Sequence, residues 1–238
     1  MITEIIVTSL LEAKQAFNCG ITRLELIDSF IDGGMSPKNT VIKSVCANVE
    51  AQVFVMLRPH KKNSADNNAF IYSQEYFTII MQQLLFIRDH TNAYGIVFGA
   101  LDDQRQIDKK LLELVIANKG HLKLTFHRAI DMSMDIIQSY NTLLTYQEVD
   151  WVLTSGAHDS CLNGVNNIIK MQNLYLINNN HHNAKLLIGS GINLENLTTI
   201  INLLTPTAIH VGQGVRTKNV LNDDKILQLI ELIKSKRI

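Results

Sequence analysis

Short apolar runs and longer segments of helical periodicity alternate along this chain from end to end. Each apolar run has the length of a buried strand, and each following segment has the spacing of an amphipathic helix. The pairs recur about every thirty residues, the size of a strand–helix–strand step. The predicted strands are Thr3–Val7, Arg23–Ile27, Gln52–Leu57, Tyr94–Phe98, Leu122–Phe126, Val149–Leu153, Lys185–Ile188 and Thr207–Val211. A last helical pattern covers Asp223–Lys236.

Eight strand–helix pairs in 238 residues predict a TIM-type (β/α)₈ barrel of the α/β class. No shift in composition separates one part of the chain from another, so we expect a single domain over residues 1–238. Such barrels carry their chemistry at the carboxyl ends of the strands. Candidate site residues are therefore sought where each predicted strand ends.

Strand side chains alternate between the barrel interior and the helix layer. With leucines assigned to the helix layer, this alternation predicts an interior that contains charged residues, namely Glu4, Arg23, Glu25, Arg58, Lys123 and His127. Isolated buried charge is costly, so these groups must pair or be hydrated. For Glu4, Arg23 and Glu25, a structural ion-pair network and a functional site both remain open. Lys123 lies about 13 Å deeper than His127, at roughly 3.3 Å per residue, and is expected to be structural.

Two predicted strand ends carry candidate catalytic and anion-binding groups. Arg58, stiffened by the following proline, suits a bidentate hold on a carboxylate or phosphate. His127 is a candidate acid–base catalyst near neutral pH, with Glu25 as a second carboxylate in the pocket. Arg128 is a candidate anion holder. Asp131 is either the partner of one of these groups or a helix cap.

Hydroxyl groups and glycines follow the last three strands. Ser155 could bind ligand oxygens, and Gly189 and Gly191 flank a serine after the seventh strand. The eighth strand ends near His210, a further candidate ligand-binding residue, which is followed by Gly212 and Gly214. Glycine turns at these two places bind phosphate in many barrels of this type, although turn geometry alone also explains such glycines.

Composition narrows the class of protein. Lys and Arg equal Asp and Glu, 22 against 22, so charge favours neither a nucleic-acid nor a membrane partner. No apolar run approaches roughly 18 residues, and the first residues do not resemble a signal peptide. Cys19, Cys46 and Cys161 are too far apart for a zinc or disulfide motif. We therefore expect a cytoplasmic protein, with loose insertions at His60–Asn68 and Asn178–Asn183.

Motifs along most of the chain resemble those of the CutC family, the so-called copper homeostasis proteins. They are Arg23-Leu-Glu-Leu, Gly33-Gly-Met-Ser-Pro37, Arg58-Pro59, Tyr72-Ser73, Thr125-Phe-His-Arg-Ala129 with Asp131, Leu153-Thr-Ser-Gly156, Gly189-Ser-Gly191 with Asn196, and His210. The resemblance implies a TIM-type barrel that binds or traffics copper in the cytoplasm as a homodimer or higher homo-oligomer. It implies no settled enzymatic activity.

The chain departs from the family where the resemblance implies copper ligands. Family members often carry cysteines on the first two strands, where this chain has Ile6, Val7 and Ile27. A family glutamate before the last-strand histidine is Ala208 here. Thiolates are the natural ligands of Cu(I), and isoleucine cannot replace them. No residue is therefore assigned as a metal ligand.

Three functions remain open at this point. The first is copper binding, with the copper ion as partner. The second is a barrel enzyme that acts on a small anionic or phosphorylated metabolite, with His127 as acid–base and Arg58 as anion holder. The third is a ligand sensor or scaffold, in which the ionisable groups serve packing.

Overall fold

Eight parallel strands close into a barrel, in the order in which they occur along the chain. The computed structural model describes residues 1–30, 33–59, 69–178 and 183–235. The predicted insertion His60–Asn68 lies outside these ranges, as does most of Asn178–Asn183. The strands are β1 Ile2–Val7, β2 Arg23–Leu26, β3 Gln52–Met56, β4 Gly95–Phe98, β5 Lys123–Phe126, β6 Trp151–Thr154, β7 Lys185–Ile188 and β8 Ala208–Val211.

Helices follow the strands and form the outer layer. They are α1 Leu10–Asn18, α2 Asn39–Asn48, α3 Gln74–His90, α4 Lys109–Asn118, α5 Ile136–Leu143, α6 Val165–Ile177, α7 Leu197–Leu204 and α8 Asp223–Ser235. A short 3₁₀ helix, Arg128–Met132, follows β5, and a small hairpin of β9 (Arg216–Thr217) and β10 (Val220–Leu221) precedes α8. The predicted TIM-type barrel is confirmed, with strand ends that differ from prediction by one or two residues. Of the described helices, none is long and apolar enough to cross a membrane.

The apolar side chains of β2 and β5 assigned to the helix layer lie there. Leu24, Leu26, Leu124 and Phe126 are fully buried in the large core between barrel and helices, as their parity predicts. That core stabilises the fold through apolar area removed from water. Cys161 lies in the turn before α6.

The barrel interior is not a continuous apolar core. One interior cluster contains Ile27, Phe54, Met56 and Val97 of the β2–β4 side. A second contains Leu153, Leu187 and Ala208 of the β6–β8 side. Buried polar and charged residues occupy the interior as well; they are Glu4, Arg23, Glu25, Thr125 and His210.

Arg23 and Glu4 form the central ion pair of this interior. The Arg23 Nε donates to Glu4 Oε2 at 2.6 Å, and Arg23 Nη2 donates to Thr125 Oγ1 at 3.2 Å. The guanidinium carbon also lies 3.7 Å from the ring centre of Phe54 and 4.9 Å from that of Trp151. Burial alone would raise the pKa of Glu4, but the charges of Arg23 and His210 outweigh it and lower this pKa. Glu4 is therefore a buried, ionised carboxylate.

Lys123 does not belong to the barrel interior, contrary to its predicted face. Its side chain is 49% exposed at the amino-terminal rim, and its Nζ lies 2.9 Å from Asp150 Oδ1. It is the first residue of β5, where the long side chain reaches solvent past the end of the wall. The prediction that Lys123 has a structural role agrees with this position.

The two ion pairs predict different costs of disruption. We expect Arg23→Met to lower the free energy of unfolding by about 3–5 kcal/mol, because it leaves the buried Glu4 carboxylate without its main partner. Lys123→Met, the matched control on an exposed pair, should change it by less than about 1 kcal/mol. Denaturant unfolding of both variants checks this, and equal losses would contradict the buried role of Arg23.

Candidate active site

A cavity of about 600 Å³ opens at the carboxyl ends of the strands. Its charged and histidine side chains come from several strand ends and loops; they are Glu25, Arg58, His127, Arg128, Glu195, His210 and Lys225. Ile6, Ile27, Met56 and Leu153 contribute apolar surface. A pocket with few polar groups converging on apolar walls is typical of a small-molecule site.

Glu25 lies in the cavity wall with an unusual environment. Its carboxylate is buried, and Oε2 lies 3.7 Å from His210 Nε2. Oε1 has no hydrogen-bond partner among the described residues. Burial, reinforced by the charge of Glu4, raises the pKa of Glu25 to about 7 in spite of His210 and Arg23. A carboxylate that titrates near neutral pH suits general acid–base chemistry.

His210 connects Glu25 to the ionised Glu4. Its Nδ1 lies 2.8 Å from Glu4 Oε1, which orients the ring, and its Nε2 faces Glu25. Burial would lower the pKa of His210, but Glu25 and Glu4 outweigh burial and raise this pKa. The absence of a side chain at Gly189 leaves room for the His210 ring, since a Cβ there would lie 3.2 Å from His210 Cδ2 and 2.7 Å from Leu153.

His127 stands at the end of β5 and is neutral. Its Nδ1 accepts a hydrogen bond from the backbone N–H of Ala129 at 3.1 Å, so the ring proton lies on Nε2. That Nε2 is buried without a partner among the described residues. Burial, followed by the charge of Arg58, lowers the pKa of His127 to about 3. The expectation that His127 titrates near neutral pH is therefore not met, and the ring acts as a donor.

Gly99 makes room for this histidine. A Cβ at that position would lie 2.5 Å from His127 Nδ1, so the end of β4 must lack a side chain. Phe70 covers another side of the ring, with ring centres 5.0 Å apart. No periodic pattern pointed to Phe70, because it lies in the irregular connection after β3.

Arg58 extends from the end of β3 into the same cavity. Its guanidinium carbon lies 4.6 Å from the ring centre of Phe70, and Nη1 donates to the Gly34 carbonyl oxygen at 3.2 Å. Its backbone N–H donates to Ser36 Oγ at 2.8 Å. The head group is thus held in one orientation, as a bidentate anion holder requires.

Arg128 is held on one edge only. Nε donates to Asp131 at 2.8 Å, and Nη2 donates to Ser155 Oγ at 2.9 Å and to the His158 carbonyl oxygen at 3.1 Å. Nη1 makes no hydrogen bond with the described residues, and the side chain is 41% exposed at the mouth. Arg128 therefore offers one unused edge to a ligand.

Asp131 and Ser155 organise the loop after β6 and do not line the cavity. Asp131 accepts from Thr154 Oγ1, the Ser155 backbone and hydroxyl, and the Ala157 backbone. It is the partner of Arg128, one of its two predicted roles. The helix-cap alternative is wrong, because Asp135 caps α5.

The glycine turns after β7 and β8 have packing reasons of their own. Gly191 has φ +75°, and a Cβ at Gly214 would lie 2.0 Å from the Ile192 carbonyl oxygen. A Cβ at Gly212 would lie 2.8 Å from Ile6. Turn geometry accounts for these glycines, and anion binding by their backbone stays a proposal.

Lys225, near the start of α8, also lines the cavity. The sequence did not identify it as a site residue, because the helix pattern places it at an end of the helix that is exposed to solvent.

A family model of the CutC family matches residues 1–215. The copper homeostasis protein cutC homologue of Dictyostelium discoideum is 30% identical, over 88% of this chain and 80% of that protein. The mouse homologue of the same name is 33% identical, over 87% and 71%.

The chain belongs to the CutC family. The Dictyostelium and mouse relatives are named for copper homeostasis, and these names support that role at the level of the family. Among solved structures, a CutC from Streptococcus agalactiae, titled a putative copper homeostasis protein, has a TM-score of 0.76 at 23% identity, over 91% of this chain and all of that one. Phosphoribosylanthranilate isomerase of Thermotoga maritima shares the fold alone, with a TM-score of 0.64 at 12% identity, over 99% of this chain and 100% of that one.

Among the residues that the structure describes, no cysteine thiol lines the cavity. Ile6 and Ile27, where the family resemblance implies thiols, line the cavity with apolar side chains. Cys46 and Cys161 are buried outside it, and burial raises the pKa of each thiol to about 11. Cys19 is part-buried against the same helix-layer core, and its pKa is also raised.

One group of potential metal ligands lies inside the barrel. Oxygen and nitrogen atoms of Glu4, Glu25 and His210 lie within 4.8 Å of one another. Glu4 already uses both oxygens, one for Arg23 and one for His210. The adjacent guanidinium also repels a cation, and oxygen donors suit hard ions better than Cu(I). We therefore assign this group to an internal network and to no metal.

The raised pKa of Glu25 predicts a pH-dependent stability. A carboxyl group with a higher pKa in the folded state stabilises the fold at low pH and loses that contribution as pH rises. We expect Glu25→Gln to gain stability over the wild type between pH 4.5 and about 7, reaching roughly 3 kcal/mol and levelling off above.

Denaturant unfolding at a series of pH values checks this, with Glu12→Gln as the matched control. Burial alone would raise the pKa of Glu12, but hydrogen bonds from Arg216 and Thr8 outweigh burial and lower this pKa. That variant should therefore be less stable than the wild type at pH 7, with the deficit shrinking in acid. A constant difference for Glu25→Gln would contradict the raised pKa.

Proposed function

We propose that this CutC chain binds a small anionic, phosphorylated metabolite in the barrel mouth and acts on it by acid–base chemistry. The observation that carries the proposal is the convergence of Arg58 and Arg128 with Glu25 and His127 on one cavity. Fixed guanidinium groups bind phosphate or carboxylate, while Glu25 and His127 offer a proton acceptor and a proton donor.

The charge distribution at the mouth supports an anionic ligand. Arg58, Arg128 and Lys225 are positive, and His127 adds an N–H donor. Two carboxyl groups oppose them. Glu195 lies at the outer rim, where it is exposed to solvent and screened, and the raised pKa of Glu25, about 7, leaves that group only partly ionised at neutral pH. Arg58 is buried, so its interaction with a bound anion occurs at low local dielectric.

The volume and lining favour an organic ligand over a bare ion. About 600 Å³ is far more than inorganic phosphate occupies, and the apolar wall of Ile6, Ile27, Met56 and Leu153 suits a carbon skeleton. Backbone N–H groups of the two glycine turns are proposed as additional anion contacts.

Removal of the buried guanidinium tests the anion-binding role. Arg58→Met should weaken binding of glycerol 3-phosphate about 10- to 100-fold, because a charge-assisted hydrogen bond contributes about 1.5–3 kcal/mol. Arg88→Met removes an arginine that pairs with Asp89 on the outer helix layer, and it should leave binding unchanged. Isothermal titration calorimetry measures both, and equal affinities in the two variants would rule out Arg58 as the anion holder.

Copper binding by this chain is the second candidate, favoured by its family. The cysteines lie outside the cavity, so we expect weak Cu(I) binding that does not depend on them. Anaerobic competition with a chromogenic chelator checks this in the native chain and in a Cys19→Ser, Cys46→Ser, Cys161→Ser variant. Tight binding that the triple variant loses would establish copper handling through thiols and overturn our preference.

Two further expectations from the family resemblance stay predictions. One is a homodimer or higher homo-oligomer, and the other is a cytoplasmic location. A partner other than a small anionic ligand or a copper ion is not proposed.

A further inference from the structure

Two residues of the cavity wall each leave one buried polar atom without a partner among the described residues. These atoms are Oε1 of Glu25, an acceptor, and Nε2 of His127, a donor. Buried polar atoms are normally hydrogen-bonded, so an unpaired pair at one cavity needs an explanation. A substrate that supplies one hydrogen atom to Glu25 and one oxygen atom to His127 would satisfy both.

The surroundings of the two groups give them separate roles. Burial raises the pKa of Glu25 to about 7, so its carboxylate is available as a base near neutral pH. Burial and Arg58 lower the pKa of His127 to about 3, so the ring stays neutral and donates through Nε2. Titratable groups whose environments drive their pKa values apart mark an acid–base assignment.

We propose that the site catalyses proton transfer at a carbon next to a carbonyl group in an anionic substrate. This inference rests on the anion-binding function proposed above and names its reaction class. The substrate class is a phosphorylated or carboxylated compound with a carbonyl group and a neighbouring C–H bond. Arg58 and Arg128 hold the anion, and the carbonyl carbon lies between Glu25 and His127.

The proposed step balances without any co-reactant. The Glu25 carboxylate takes the proton from carbon, and the electron pair of that C–H bond forms the carbon–carbon double bond. The carbonyl π electrons move to oxygen, which accepts a hydrogen bond from His127 Nε2–H as negative charge develops. In a substrate whose reacting carbon carries a hydroxyl group, Glu25 then returns the proton to the adjacent carbon. His127 Nε2 gives its proton to the alkoxide oxygen formed there and takes the proton of the hydroxyl group, so the carbonyl group moves by one carbon and the product is an isomer.

Glu4, Arg23 and His210 act as positioning residues for Glu25. Arg23 and His210 hold Glu4 ionised, and Glu4 orients the His210 ring through the 2.8 Å contact to Nδ1. His210 Nε2 in turn faces Glu25 Oε2 at 3.7 Å, which leaves Oε1 for the substrate. This arrangement keeps the base in one position without pairing it fully, so that its pKa stays near neutral.

A pair of phosphate probes that differ only in the reacting group tests the inference. Phosphoglycolohydroxamate mimics an enediolate, and glycerol 3-phosphate carries the same phosphate without a carbonyl. We expect the wild type to bind the hydroxamate at least about 100-fold more tightly, because analogues of the transition state bind better than ground-state analogues. Calorimetry at pH 7 measures both affinities.

Two variants test which residues produce the preference for the hydroxamate over glycerol 3-phosphate. Glu25→Gln keeps the size of the side chain and should bring the ratio of the two affinities close to one, because the carboxylate that favours the hydroxamate is gone. Arg58→Met should weaken both probes by the same factor. A preference retained by Glu25→Gln would overturn the role of Glu25 as base.

The two proposals fail in distinguishable ways. Equal affinity of the wild type for both probes would overturn proton transfer and leave anion binding standing. Absence of binding by either probe would overturn anion binding, and the inference with it.

Discussion

The buried Glu4 carboxylate is the group on which the barrel interior depends. It receives a 2.6 Å hydrogen bond from Arg23 and lies 2.8 Å from His210, so β1, β2 and β8 are joined inside the barrel by charge. Because isolated charge in such a place is unfavourable by several kcal/mol, each member requires the others. The apolar interior is divided accordingly into two small clusters. A barrel filled only by aliphatic layers would have no such constraint.

The same network sets the chemistry of the mouth. His210 Nδ1 lies 2.8 Å from the ionised Glu4, and its Nε2 lies 3.7 Å from Glu25 Oε2. At that longer distance His210 stabilises the Glu25 carboxylate only partly. Burial therefore dominates and brings the pKa of Glu25 to about 7. At the end of β5, burial and the charge of Arg58 keep His127 neutral, and the backbone N–H of Ala129 donates to its Nδ1. The base that we propose, Glu25, thus depends on the ionised Glu4, and the proposed donor, His127, depends on the backbone N–H of Ala129.

Membership of the CutC family does not carry a thiolate copper site into this chain. Isoleucines stand where the family resemblance implies thiols, and they make the cavity wall apolar at those points. The remaining cysteines belong to the core between barrel and helices or to its edge, where burial keeps the thiols protonated. The charged and histidine side chains that line the cavity are the basis on which an anionic organic ligand is proposed.

The eightfold rhythm, the barrel and the strand ends that carry Arg58, His127 and Arg128 could be predicted from the sequence, because side-chain alternation and helical periodicity are local properties. The sequence also indicated that Glu4, Arg23 and Glu25 point inward. That Asp131 and Ser155 hold the loop after β6, and that Lys123 reaches solvent, became visible only in the folded chain. The same holds for the titration of Glu25 near neutral pH, which His127 does not share. Burial and the distances between strands far apart in sequence control these outcomes, and no local pattern encodes them.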